Sequence, residues 1–259
     1  MESITQVLKE LEMSIHKTPE DAHTYICDKC RDKGIIPVNV NGYIMVRICK
    51  DCEKKRKLKR WLSHSGISSE DYSRYTLDNF LEDTDEACKM KRVALSFIHD
   101  PDAIGLGFFG ASGTGKTHIC IAVCQAVGTE HHYWQYRNEI QKIKNVMYRS
   151  SETYDELMRI PKTSPCLYID DLFKGAYSDG GIDKQDLQIV FDIINTRYIK
   201  RLPTIISSEY SLNAITKVDT AIGSRIYSMC YPYLMRVDGR NRRLQIGEKE
   251  KSNGIYRRG

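Results

Sequence analysis

The stretch GASGTGKT, Gly110-Ala111-Ser112-Gly113-Thr114-Gly115-Lys116-Thr117, decides the fold. It satisfies G-x-x-x-x-G-K-[ST], a demanding pattern whose chemistry requires a strand before it and a helix after it. Both are legible. GLGFF, residues 105–109, is a short apolar run of strand type, and HICIAVCQAV, residues 118–127, keeps its apolar side chains at helical spacing. Glycines 110, 113 and 115 let the backbone turn its N–H groups toward phosphates, with the positive end of the next helix behind them. Lys116 is expected to neutralise the β and γ phosphates, and the Thr117 hydroxyl to ligate Mg2+. Gly110 through Thr117 are therefore the expected ATP-binding set.

Downstream, HHYWQY (131–136) reads as a second strand, and a long polar helical stretch ends near Pro161. CLYIDDLF (166–173) then reads as a strand ending in two aspartates. Asp170 is expected to hold Mg2+, directly or through water, and Asp171 to polarise the attacking water. Many ATPases of this architecture carry a glutamate at the second position, one methylene longer. The loop KGAYSDGG (174–181) precedes a helix that opens on Asp183, with Asp186 three residues on, and carries Leu187, Val190, Phe191 and Ile194 as its apolar stripe. PTIISSE (203–209) is a fourth strand, whose polar end offers Ser207, Ser208 and Glu209 to a γ phosphate. AIGSRIYSMC reads as a helix that sets Arg225 as an arginine finger for a neighbouring subunit's nucleotide. A last strand lies near YLMRV or RRLQI. The alternation implies an α/β fold, a five-stranded parallel sheet covered by helices.

Upstream, residues 1–65 form a separate small unit, and residues 66–259 the ATPase. The small unit opens with Ile4, Val7, Leu8 and Leu11 at helical spacing. Cys27-x-x-Cys30 and Cys49-x-x-Cys52 follow, separated by eighteen residues that contain Gly34, Pro37 and the turn pair Asn41-Gly42. Two such knuckles flanking a hairpin bring four thiolates around one structural Zn2+, with no open coordination position for catalysis. The basic run EKKRKLKR, Glu53 to Arg60, fits a solvated helix face or linker as well as it fits nucleic-acid contact. Ala87 to Ile98 reads as a helix before the P-loop strand. Tyr75 and Phe80, ahead of it, are candidates for stacking on adenine or for ordinary core packing.

The net charge of +5 favours a polyanionic partner without requiring one. No apolar run approaches a membrane span, and MESITQVLKELEMSIHK lacks the uninterrupted apolar centre of a signal peptide, so a cytoplasmic protein is expected. Nine cysteines, four of them in C-x-x-C pairs, fit a reducing compartment with a metal site.

The series GASGTGKT, LYIDDLF, PTIISSE and AIGSRIYSMC, in that order, resembles the AAA+ domain of bacterial and phage replicative helicase loaders of the DnaC/DnaI type. IstB-like transposition helper ATPases are related to it. The four-cysteine unit resembles the zinc-binding N-terminal domain of DnaI-type loaders, which the helper ATPases commonly lack. The resemblance implies ATP-dependent self-association on single-stranded DNA and delivery of a hexameric replicative helicase, of the DnaB/DnaC type, with the N-terminal unit contacting that helicase. Two alternatives are a transposition helper and a zinc-ribbon adaptor with an inactive ATPase. The sensor strand departs from the loaders in ending Ser-Ser-Glu, where asparagine is frequent. Arg243 is a candidate second sensor among several arginines. Lys174 and Tyr177 are the expected contacts with a single strand, a cation for phosphates and a ring for bases.

Overall fold

The computed structural model describes residues 25, 27–41, 43–178 and 181–242. The chain divides into two compact units between Ser73 and Arg74. The helical segment of Ile4 to Leu11, Arg243 and the rest of the RRLQI alternative after Arg242 lie outside the described residues, as do the side chains of Tyr177 and of most of the basic run.

In the first unit an antiparallel hairpin joins β1 (Ile35–Val40) to β2 (Tyr43–Ile48), with Val40 opposite Tyr43 and Ile35 opposite Ile48. Asn41 turns it with a φ of 53°, a backbone state that asparagine tolerates better than most residues. Helix α1 (Lys50–Ser65) begins directly after Cys49, so Cys52 lies in its first turn. A short α2 (Ser69–Arg74) follows. The hairpin has little apolar cover. Ile44 and Tyr43 are nearly four-fifths exposed, and Met45, Val46 and Ile48 are also open. What is buried beside it is Cys27, Cys30 and Cys49, with Ile36 and Cys52 packed against them.

The second unit begins with α3 (Asp85–His99), capped by the Thr84 hydroxyl, which accepts from Ala87 N–H. Then come β3 (Gly105–Gly110), α4 (Lys116–Ala126), β4 (His131–Gln135), α5 (Tyr136–Val146), α6 (Ser151–Thr163) and β5 (Cys166–Asp170). A two-residue pair, β6 (Tyr177–Ser178) and β7 (Gly181–Ile182), leads to α7 (Lys184–Ile199), β8 (Thr204–Ser208), α8 (Leu212–Val218), α9 (Thr220–Cys230) and β9 (Leu234–Val237). The sheet order is β4-β5-β8-β3-β9, every pair parallel.

Strands β3, β5 and β8 are buried at every residue, which is why their sequences are continuous apolar runs rather than alternating ones. The core joins Phe109, Leu167, Ile169 and Ile206 of the sheet to Ile189 and Ile193 of α7 and Ile222 and Ile226 of α9. Burial on this scale is worth about 1.5–3 kcal/mol for each large aliphatic side chain. The order also matters for chemistry. β8 is inserted between the P-loop strand and the Asp-Asp strand, so Ser207 reaches the carboxylate end of β5.

Three local expectations are corrected. Tyr136 opens α5 instead of closing β4, and its hydroxyl bonds the Asp186 carboxylate. The helical stretch is two helices, because Ser150 caps a new one by accepting from Thr153 N–H at 3.3 Å. That second helix ends at Thr163, near Pro161 as expected. The buried Arg197 guanidinium donates to the carbonyls of both Pro161 and Ser164, fixing the last turn against β8 through Thr204. Asp183 caps α7 as expected, accepting from Gln185 N–H at 2.8 Å, but Asp186 pairs with Lys144 instead of closing a box.

Candidate functional site

The loop from Gly110 to Thr117 joins β3 to α4 at the carboxyl ends of the sheet strands, where doubly wound folds bind ligands. Gly115 stands at the N-cap of α4 with a φ of 98°, and no side chain caps that end. Gly113 has a φ of 75°, and the Asn241 side chain sits where a β-carbon would be. Lys116 is buried and folds onto its own loop, donating to the carbonyls of Gly110 at 2.8 Å and Ala111 at 2.6 Å. Burial pushes its ammonium below the ordinary lysine range, against the pull of Asp171, Glu209 and Asp170.

Asp170 ends β5 and is the hub of the site. Its Oδ1 accepts from Thr117 at 3.2 Å and from Ser207 at 2.7 Å, and its Oδ2 from the Tyr133 hydroxyl at 2.8 Å. Tyr168, two residues earlier on the same strand face, also donates to Oδ1. Burial and the adjoining Asp170 charge push both phenols well above the ordinary tyrosine range, so they serve as donors. The arrangement brings the hydroxyl and the carboxylate expected to share Mg2+ into direct contact, a donor set suited to a hard cation.

Asp171 turns away from the strand with a φ of 54°, its N–H donating to Ser207 Oγ at 3.1 Å. Its Oδ2 pairs with Lys174 at 2.8 Å, and the same ammonium pairs with Glu209 at 2.8 Å. Burial raises the Asp171 carboxyl above the usual range; the Lys174 bond opposes that, and Asp170 and Glu209 add to it. Burial also works against the Glu209 charge, but its bonds to Lys174 and Ser112 prevail and hold it below the usual range. Lys174 thus has two carboxylate partners within the chain.

Lys116, Thr117, Asp171, Lys174 and Glu209 line a cleft of about 450 Å3, which also takes in Ser112, Tyr75 and Arg242, and the buried Asp170 lies behind Thr117. Tyr75 keeps its place as a candidate for stacking on adenine. Phe80 does not: it is buried, edge-on to His118, with the Arg242 guanidinium 5.4 Å over its ring. Arg242 is the cation that the sequence reading missed. Its N–H donates to Gly113 O at 3.0 Å, and its guanidinium reaches Leu81 O and Asp83. The arginine cluster at 240–243 signalled a cation here but not which one. Arg225 is not among the residues lining the cleft of its own chain. It lies on α9, donates to Asn195 Oδ1 at 2.9 Å and sits 5.0 Å over the Phe191 ring.

In the first unit the sulfurs of Cys27, Cys30, Cys49 and Cys52 all lie within 4.8 Å of one another. Cys27 and Cys49 are 3.7 Å apart, and Cys30 and Cys52 3.2 Å. A Zn–S bond of about 2.3 Å sets the edge of a ZnS4 tetrahedron at about 3.8 Å, so the donor set fits. Gly34 N–H donates to Cys30 Sγ at 3.3 Å, the outer contact that a thiolate ligand needs.

No family model matches the chain. A search of solved structures pairs it with the DnaC helicase loader at a TM-score of 0.54 and 24% identity, covering 64% of this chain and 98% of that one. It pairs with DnaI at 0.53 and 21%, covering 71% and 99%, and with AMPPCP-bound DnaA of Aquifex aeolicus at 0.52 and 21%, covering 71% and 57%. The fold is the AAA+ fold. Among curated proteins, this chain is 26% identical over 254 residues to the phage-like element PBSX protein XkdC of Bacillus subtilis, covering 92% of this chain and 94% of that one. It is 25% identical to YqaM of the same organism, covering 85% of each. Among the described residues no helix is long and apolar enough to cross a membrane.

Proposed function

We propose that the chain is an ATPase that loads a hexameric replicative helicase onto single-stranded DNA. The observation that carries the reading is a cleft lined by Lys116 and Thr117, with Asp170 bonded to the Thr117 hydroxyl, on a fold shared with the DnaC helicase loader and DnaI. In this reading Lys116 leaves its own loop carbonyls for the β and γ phosphates, and Thr117 and Asp170 hold Mg2+. Asp171 orients and deprotonates the attacking water, while Ser207 and Arg242 register the phosphates. Zn2+ on the four cysteines supplies the folding free energy of the first unit. Arg225 belongs to the next subunit's nucleotide, which makes hydrolysis a property of the assembly. The protein works in the cytoplasm of a bacterium or of its phage-infected state.

Capture from a bacterial lysate tests the partner. Immobilised chain with ATP retains a replicative helicase, and Lys116→Ala does not. Recovery of a transposase in its place would move the chain to the transposition helpers.

A further inference from the structure

The turn from Asp171 to Lys174 is held in a costly shape. Asp171 and Phe173 both have positive φ, 54° and 64°, where side chains meet the backbone. Three bonds fasten the turn to β8: Ser207 Oγ accepts from Asp171 N–H, Ser207 O from Leu172 N–H, and Ser208 Oγ donates to Leu172 O. A fourth closes it internally, Lys174 N–H to Asp171 O at 2.9 Å. The product of this local strain is one contact, the Lys174 ammonium on Asp171 Oδ2, steadied by Glu209 from the end of β8. A carboxylate oxygen that already accepts from an ammonium is a poorer acceptor for a water proton.

We propose that Lys174 is a positioning residue that holds Asp171 in check, and that Glu209 sets the strength of the hold by competing for the same ammonium. The inference rests on the proposed role of Asp171 in hydrolysis. Lys174 also lines a second cavity, of about 630 Å3, with Arg137, Asn138 and Ala176. A ligand seated there would meet the lock without entering the nucleotide cleft.

Single-turnover hydrolysis of saturating Mg-ATP by the full-length, zinc-loaded chain at pH 8 tests this. Lys174→Met, which keeps the stem and removes the charge, should hydrolyse about tenfold faster than the parent, the scale of one charge-assisted hydrogen bond. Glu209→Gln leaves the ammonium wholly to Asp171 and should be slower than the parent. The double variant should match Lys174→Met, because Glu209 acts through Lys174. A gain in the rate of the bound complex at unchanged ATP affinity is a readout that a merely structural lysine would not move.

A Lys174→Met chain with unchanged ATP affinity and melting temperature, but a rate at or below the parent's, overturns the lock. If methionine lowers the melting temperature, Lys174→Gln carries the same comparison. Failure of the underlying reading looks different: Asp171→Asn would then hydrolyse ATP as fast as the parent, whatever Lys174→Met does.

Discussion

The two units are stable for different reasons. The P-loop unit buries three whole strands and much of α4, and its polar site groups are bonded to one another across that core. The cysteine unit turns the apolar side chains of β2 outward and gathers sulfur inward. One unit is built on hydrophobic burial, the other around four clustered cysteines. What the contrast teaches is that damage in one should be felt as lost chemistry, and in the other as lost folding.

The largest expected effect is in the cysteine unit. Structural zinc contributes on the order of 10 kcal/mol to units this small, so chelation or Cys30→Ser should unfold it outright. Proton NMR should show the hairpin resonances collapse while ATP affinity stays at the parent value. An intact hairpin in metal-free protein would break the contrast.

Next in size is Asp171→Asn, which keeps shape without basicity. Hydrolysis should fall about a hundredfold or more, the usual scale for loss of a general base, while ATP binding holds. Lys116→Ala should weaken ATP binding by about 2 kcal/mol or more, roughly thirtyfold, as measured by calorimetry. Asp171→Asn separates chemistry from binding and Lys116→Ala removes binding, yet neither should lower the melting temperature of the cysteine unit.

Arg225→Ala probes an intermediate case. It forfeits the bond to Asn195, worth about 1 kcal/mol of stability, and in the assembly the charge given to the neighbouring nucleotide. Hydrolysis per chain should rise with protein concentration in the parent and stay flat in the variant. Lys116→Ala chains, which keep the arginine, should restore the rise when co-assembly is verified by light scattering. The smallest effect is expected from Arg242→Ala, about fivefold in ATP affinity, near 1 kcal/mol, because its guanidinium already has Asp83, Leu81 and Phe80 as partners.

What could be read in advance follows the same division. The P-loop, the Asp-Asp strand and the four-cysteine spacing are chemistry written in short, contiguous residues. The five-stranded sheet was legible from the alternation of apolar runs. What lay hidden was pairing across the sheet. Tyr168 shares a strand face with Asp170, so its contact followed from period-two geometry. Tyr133 and Ser207 reach the same carboxylate only because β4 and β8 flank β5, and sheet order is not a local property. Of the two partners of Lys174, Asp171 is only three residues away, but Glu209 is thirty-five residues away and is brought to it by the neighbouring strand. Arg242 was lost among neighbouring arginines, since its place depends on how the chain leaves β9.

Delivery of a ring to a strand has a direct topological test. A hexameric ring cannot thread a covalently closed single-stranded circle unless it is opened or assembled around it. The helicase captured from lysate is mixed with such circles, and what remains bound after a high-salt wash is weighed. Retention should require both this chain and ATP and should fail with Lys116→Ala. Equal retention without the chain, or with Lys116→Ala in its place, would contradict delivery by this chain.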